Sequence, residues 1–180
     1  MDTFSCAITG HRPTRFKFKY QEDYSLCKKI KRTLADQIAK AYEKGAQTFY
    51  IGGALGVDMW AGEILAEMKA KPEYQDIRLF CALPFGGHDA EWDEKSRRRL
   101  ERIIRACDGV VKISDDDKPD AYKYRNYYMV DNADYLIAVF DQVKNPRSGT
   151  SQTVNYAKKR GLTITYIHPD TAEVSVESAN

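Results

Sequence analysis

Thr48–Lys69 reads TFYIGGALGVDMWAGEILAEMK. A short apolar run, Thr48 to Ile51, gives way to Gly52-Gly53-Ala54-Leu55-Gly56-Val57-Asp58, and helical period then takes over with Trp60, Ile64 and Met68 four residues apart. An apolar run of four, a glycine-rich turn and an amphipathic segment from Met59 to Lys69 are a strand, a loop and a helix in succession. That unit recurs along the chain. Phe4 to Thr9, Ile77 to Leu83, Gly109 to Ile113, Tyr135 to Phe140 and Thr163 to Ile167 are likewise short and rich in β-branched, aromatic or other apolar residues.

Between these strands lie segments of helical period. Leu26, Ile30, Leu34, Ile38 and Ala41 share one face, and Gly45 ends that helix. Leu100, Ile103, Ile104 and Cys107 mark another, and Tyr122 to Ala133 and Thr150 to Arg160, closing at Gly161, complete the set. Strands alternating with helices predict an α/β fold: a doubly wound, mainly parallel sheet of about six strands with helices on both faces. Residues 1–168 form a single domain in this reading, and Pro169 to Asn180 a weakly ordered polar C-terminal tail.

Composition narrows the function classes. Of 180 residues, 43% are hydrophobic and 30% charged, the profile of a chain that folds on its own. A net charge of +2 supplies no broad field for a polyanion, so neither nucleic acid nor membrane is expected as a partner. Cys6, Cys27, Cys81 and Cys107 form no Cys-x-x-Cys pair, and His11, His88 and His168 have no metal-ligand spacing, so no metal or cofactor is expected. With no leader-like segment and no long apolar stretch, the expected compartment is the cytoplasm.

In an open parallel sheet, ligands lie beyond the carboxyl ends of the strands. After the first strand comes Thr9-Gly10-His11-Arg12-Pro13, where glycine allows close backbone approach and arginine offers a fork of donors to phosphate. A tight turn reads the same way. Gly52, Gly53 and Gly56 bring free amides to the positive start of the next helix, which suits an anion. The segment is neither Gly-x-Gly-x-x-Gly nor a Walker loop, so a dinucleotide dehydrogenase and a P-loop NTPase both lack their required residues. Asp58 has two readings, N-cap of the helix or a contact to ribose or to reacting atoms, and Glu63 turns away from it or reaches back. Ser148-Gly149-Thr150 opens the last helix as a second anion-binding start on the same sheet edge. Arg125 and Asn126 stand near the start of the fourth helix, as ligand contacts or as satisfied polar residues.

Two further patterns have plainer explanations. Phe16-Lys17-Phe18-Lys19-Tyr20 interleaves aromatics with cations, as a base-stacking surface does, but a covering segment over the core has the same composition. Arg97, Arg98, Arg99, Arg102 and Arg105 lie opposite the apolar stripe of their helix, where a solvated face is the usual explanation. No Gly-x-Ser-x-Gly elbow is present for a serine hydrolase.

Taken together, Thr9 to Pro13, Gly53 to Glu63, Arg125-Asn126-Tyr127-Tyr128-Met129-Val130-Asp131 and Ser148-Gly149-Thr150 resemble the YpsA-like family of the SLOG superfamily. The resemblance spans most of the chain and implies a Rossmann-like fold. It also implies a nucleotide or nucleotide-derived ligand, such as a cyclic nucleotide or an ADP-ribose-like compound, sensed or sequestered at these loops by a homo-oligomer. The implied contacts are Gly10, His11, Arg12, Gly52, Gly53, Gly56, Asp58, Arg125, Asn126, Ser148, Gly149 and Thr150.

The same superfamily holds Lonely Guy phosphoribohydrolases and single-strand-binding proteins of the DprA type, which gives two alternatives: a nucleotide N-glycosidase and a single-stranded DNA binder. The hydrolases' Pro-Gly-Gly-x-Gly-Thr-x-x-Glu pattern sets its glutamate at Thr153, which cannot serve as a carboxylate. Glu63 and Asp58 are therefore the catalytic candidates for an enzyme. Ser148 also departs from the glycine usual before Gly-Thr in YpsA-like proteins.

Overall fold

The computed structural model describes residues 3–179, so the first two residues of the expected domain and the last of the expected tail lie outside the described residues. In chain order the elements are β1 (Phe4–Gly10), α1 (Ser25–Glu43), β2 (Ala46–Ile51), α2 (Val57–Lys69), β3 (Arg78–Phe85), α3 (Glu94–Ala106) and β4 (Gly109–Ser114). They continue with α4 (Ala121–Asp131), β5 (Tyr135–Val139), α5 (Gly149–Lys159), β6 (Thr163–Ile167) and β7 (Val174–Glu177). Each anticipated strand and helix is present, with ends displaced by up to two residues except in α3, which begins six residues before its first apolar marker, Leu100.

The sheet has seven strands in the order β4-β3-β2-β1-β5-β6-β7, parallel throughout except for β7, which runs antiparallel to β6 with Val174 opposite Ile167. This is the expected Rossmann-like α/β architecture with one strand more than the sequence suggests. The extra strand falls inside the segment read as a weakly ordered tail. Val174-Ser175-Val176-Glu177 is short and exposed along its whole length, so it presents no buried apolar run, and main-chain pairing with β6 supplies its order.

Two apolar layers sandwich the sheet. On one face, Ile8, Phe49, Ile51, Leu79 and Ile137 meet Ile30, Leu34 and Ile38 of α1, Leu65 of α2 and Ile103 of α3. On the other, Leu136, Ala138, Ile164 and Tyr166 meet Met129 and Val130 of α4 and Val154 and Ala157 of α5. Phe16 and Phe18 stack on each other at 5.0 Å and pack on Trp60 at 5.2 and 6.0 Å, so the Phe16–Tyr20 segment covers the core. Cys6, Cys27 and Cys81 are buried free thiols, and Cys107 is free and half-buried.

The strand order carries the functional consequence. From β1 the chain steps through β2, β3 and β4 in one direction, and β5 and β6 are then laid down on the other side of β1. The winding reverses between β1 and β5, and a crevice opens where their carboxyl-end loops part.

Candidate ligand-binding site

Glycines decide how closely the loops approach. A Cβ on Gly10 would lie 2.5–2.6 Å from the side chain of Val57, so only glycine lets the start of α2 sit against the end of β1. Gly56 has φ +87, and a Cβ there would fall 2.6 Å from the His11 carbonyl oxygen, which accepts a hydrogen bond from Val57 N at 3.3 Å. The β1 and β2 loops are therefore locked backbone to backbone. The Gly52 carbonyl accepts from the Arg125 guanidinium, and Gly53 O lies 2.8 Å from His88 Nε2.

Beyond this lock lies a cavity of about 500 Å³. Thr9, Gly10, His11 and Arg12 line it from β1, Ala54 and Asp58 from the β2 side, and Asp120, Tyr122, Lys123, Arg125 and Asn126 from the start of α4. Arg147, Ser148, Gly149 and Thr150 close it from α5. Of the residues expected at the ligand, Gly10, His11, Arg12, Asp58, Arg125, Asn126, Ser148, Gly149 and Thr150 thus come together around one space.

Gly52, Gly53 and Gly56 stand behind the wall. Their carbonyls and missing side chains serve loop packing. Of the amides here, Ala54 N in the loop donates to Asp58 Oδ2 at 3.2 Å and Val57 N, the first of α2, to His11 O. Two amides of this loop and helix start are thus taken up by the protein's own acceptors, while those of Asp58 and Met59 have no protein acceptor among the described residues. Asp58 is also not the N-cap, a position held by Gly56; it sits in the first turn, and its carboxylate folds back on the loop.

At the start of α5 the expectation fares better. Ser148 caps the helix, its Oγ accepting from Ser151 N at 3.2 Å, while the Gly149 and Thr150 amides have no protein acceptor among the described residues. The hydroxyl of Thr153, at the position of the hydrolases' glutamate, donates to Gly149 O at 2.8 Å.

Charge in the cavity is concentrated on a buried couple. Asp58 is 8% exposed and Arg125 is 5% exposed. Burial pushes the Asp58 carboxyl up from its ordinary value, with the Arg125 guanidinium as the first counterweight. Burial likewise lowers Arg125, and Asp58 opposes that shift. Arg125 Nε also donates to Asn126 Oδ1 at 2.8 Å, which orients the amide. Its guanidinium and that of Arg12 lie 5.6 and 5.1 Å from the centre of the Tyr122 ring. His11 sits between Phe16 and Phe140, its pKa lowered by burial, and its Nε2 is buried without a partner.

Glu63 is elsewhere. Five residues beyond Asp58 on a helix of 3.6 residues per turn, it points about 140° away. Its carboxylate is held by Arg99, with Nη2 at 2.5 Å, in a separate groove beside Trp60. On the arginine-rich helix α3, Arg97 pairs with Asp89, Arg98 with Glu94, and Arg99 with Glu22 and Glu63, whereas Arg102 and Arg105 have no ion pair among the described residues. Sequence reasoning missed Tyr122, Lys123 and Arg147. Their signal was position alone, since each lies at or just before a helix start on the carboxyl edge of the sheet.

The YpsA family model, described as the YspA SLOG family, matches residues 6–172. The chain belongs to this family. Similar YpsA-family relatives are UPF0398 proteins of Bacillus. One from Bacillus cereus strain B4264 is 32% identical over 157 residues, covering 86% of this chain and 83% of its own. Another from Bacillus thuringiensis strain Al Hakam is 31% identical with the same coverage.

Among solved structures, this YpsA-family fold is similar to DNA processing protein A from Helicobacter pylori, described for its single-stranded DNA binding mode. The TM-score is 0.55 at 22% identity, with 91% of this chain covered. The match takes in 65% of the Helicobacter chain, and at that identity the likeness is one of fold. Among the described residues, no helix is long and apolar enough to cross a membrane.

Proposed function

We propose that this YpsA-family protein binds a nucleotide-derived phosphate ligand in the cavity between β1, α4 and α5, and holds it for sensing or sequestration. One observation carries the reading: the unsatisfied Gly149 and Thr150 amides open into the same space as the buried Arg125–Asp58 couple. Amides at a helix start favour an anion by up to about 2 kcal/mol when partly buried, and Arg12, Lys123 and Arg147 add positive charge around it. Asp58 and Asn126 supply the carboxylate and amide that a ribose or base edge requires, and Tyr122 supplies an aromatic face.

Calorimetric titration with AMP, ADP and cyclic AMP tests the reading. At least one is expected to bind, and Arg147→Ala to weaken it about tenfold, equivalent to about 1.4 kcal/mol. Absence of heat and of any thermal shift with all three, with inorganic phosphate also silent, would exclude it.

The N-glycosidase reading draws support from Asp58 alone. A carboxyl pushed up by burial at the cavity wall has the character of an acid-base group. Mass spectrometry after incubation separates the two, because a binder returns the nucleotide intact and a hydrolase releases free base. Asp58→Asn would abolish that release. A DNA strand is the competing ligand suggested by the fold likeness, and its distinguishing property is the salt dependence argued below.

A further inference from the structure

The inner side of α4 is given over to the core and the cavity, where Ala121, Arg125, Met129 and Val130 are buried. The outer side is not the solvated, evenly charged face that usually completes a surface helix. Lys123, Tyr127 and Asp131 follow one another at intervals of four, a cation, an aromatic ring and a carboxylate in line along about 12 Å of helix. Tyr124 stands beside them, 54% exposed, and Tyr127 stacks at 4.0 Å on Tyr156, which carries the aromatic surface onto α5. We propose that this side of α4 docks a second copy of the chain, seated antiparallel with the two-fold axis at Tyr127. The family resemblance implies an oligomer without a surface; the face, its orientation and its charge contacts follow from the residues of α4.

Charge decides the orientation. The start of α4 has Lys123 in its first turn and no acid, and its last residue is Asp131, with no base in the last turn. Each charge thus opposes the dipole of its own helix, and within one copy the arrangement destabilises α4. Between two copies it is complementary. Turning a second α4 end for end about Tyr127 brings Lys123 of each copy opposite Asp131 of the other, and the two dipoles also oppose.

Both groups have capacity for the contact. Lys123 Nζ rests 5.7 Å from the centre of the Tyr127 ring and has no carboxylate partner among the described residues. Asp131 receives Tyr156 Oη at 2.7 Å and Arg160 Nε at 3.4 Å, both on Oδ1, which leaves Oδ2 without a hydrogen bond among the described residues. The tyrosines suit the contact, since a ring is buried while its hydroxyl stays at the polar rim.

The flanks agree. α4 and α5 each connect parallel strands, so both run from the carboxyl to the amino edge of the sheet. Asp116, Asp117 and Asp120 are exposed just before α4, and Lys159 and Arg160 at the end of α5. The same antiparallel seating sets that acidic end of each copy towards the basic end of the other. Helix α3 has no such match, because its exposed side is mostly arginine and a second α3 would meet like charge.

Sedimentation velocity tests the surface, and because no ligand is added the outcome is independent of the nucleotide reading. The wild-type chain is expected to be a dimer at about 50 µM. Lys123→Glu sets carboxylate against carboxylate at both contacts and Asp131→Lys cation against cation, so each variant is expected to pair about a hundredfold more weakly. Mixing the two variants restores a cation opposite a carboxylate at both contacts, and the dimer is expected to return. A monomeric wild-type chain overturns the proposal. So does a dimer that neither variant weakens, and so do folded, monomeric variants whose mixture stays monomeric. If circular dichroism shows that a reversal unfolds the chain, Tyr124→Arg takes its place, and a dimer unmoved by it overturns the proposal equally.

Discussion

At the scale of single residues, the site depends on what is missing from its glycines and on two buried side chains of opposite charge, Asp58 and Arg125. Gly56 and Gly87 both have positive φ, +87 and +79, but a Cβ on Gly56 meets backbone at 2.6 Å whereas one on Gly87 meets nothing within 4 Å. Alanine at Gly87 is expected to cost about 1 kcal/mol for its conformation alone. At Gly56 the same strain is joined by displacement of the His11 loop, for a total of about 3 kcal/mol in urea unfolding. Equal losses would mean that the two loops are not locked.

Arg125→Met removes the buried cation that counters Asp58 and leaves Gly52 O without its donor, with an expected loss of about 1–3 kcal/mol. Adding Asp58→Asn removes the stranded charge and should restore about 1–2 kcal/mol. Strict additivity in the double variant would show the two side chains to be energetically independent.

At the scale of elements, ion pairs tie the helices of one face together. Glu22, just before α1, and Glu63 of α2 both receive Arg99 of α3, and Lys31 reaches Glu22 at 2.6 Å. Burial alone would raise Glu22, but hydrogen bonds from Arg99 and Lys31 outweigh it and hold the carboxyl at about 2 against an ordinary 4.5. Because the folded value is the lower one, this contribution is complete above pH 4.5 and is lost as pH falls from there towards 2. Melting temperature should decline across that window, and Glu22→Gln should flatten the decline while lowering stability at pH 7. An unchanged profile in the variant would remove Glu22 from the acid response.

β7 makes a different contribution. A chain ending at Glu173 exposes the main-chain edge of β6, and light scattering should show more self-association than in the full chain. The same elements show what was legible in the sequence. Helix α1 and strand β5 were visible because burial on one face or both imposes an apolar pattern. β7 was not, because an exposed strand held by main-chain bonds leaves no such pattern. Asp58 and Glu63 were equally plausible acids in one dimension, and only helical rotation sent one into the cavity and the other to Arg99. The glycines of the β2 loop were rightly noticed for close approach, yet what approaches them is the His11 loop, the Asp58 carboxylate and the Arg125 guanidinium.

At the scale of the whole molecule, the reversal of winding beside β1 sets where a ligand binds, and the distribution of charge sets how strongly salt weakens it. With a net charge of +2, the unpaired cations relevant here fall into two groups among the described residues: Arg12, Lys123 and Arg147 around the cavity, and Arg102 and Arg105 on α3 beside the paired Arg97, Arg98 and Arg99. If a single-stranded oligonucleotide binds, about three phosphate neutralisations give a slope of about −2 in log affinity against log salt. Affinity then falls about twentyfold between 50 and 200 mM salt. A mononucleotide held by amides and a buried arginine should weaken less, since burial shields those contacts from screening. A slope near −6 for the oligonucleotide would require a binding face far larger than this cavity and would point to the arginines of α3 as part of it. The Arg102→Glu variant decides between these. It leaves the cavity untouched and reverses charge on the α3 face, so an unaltered slope keeps every ligand at the β1–β5 crevice, and a shallower one moves the strand to α3.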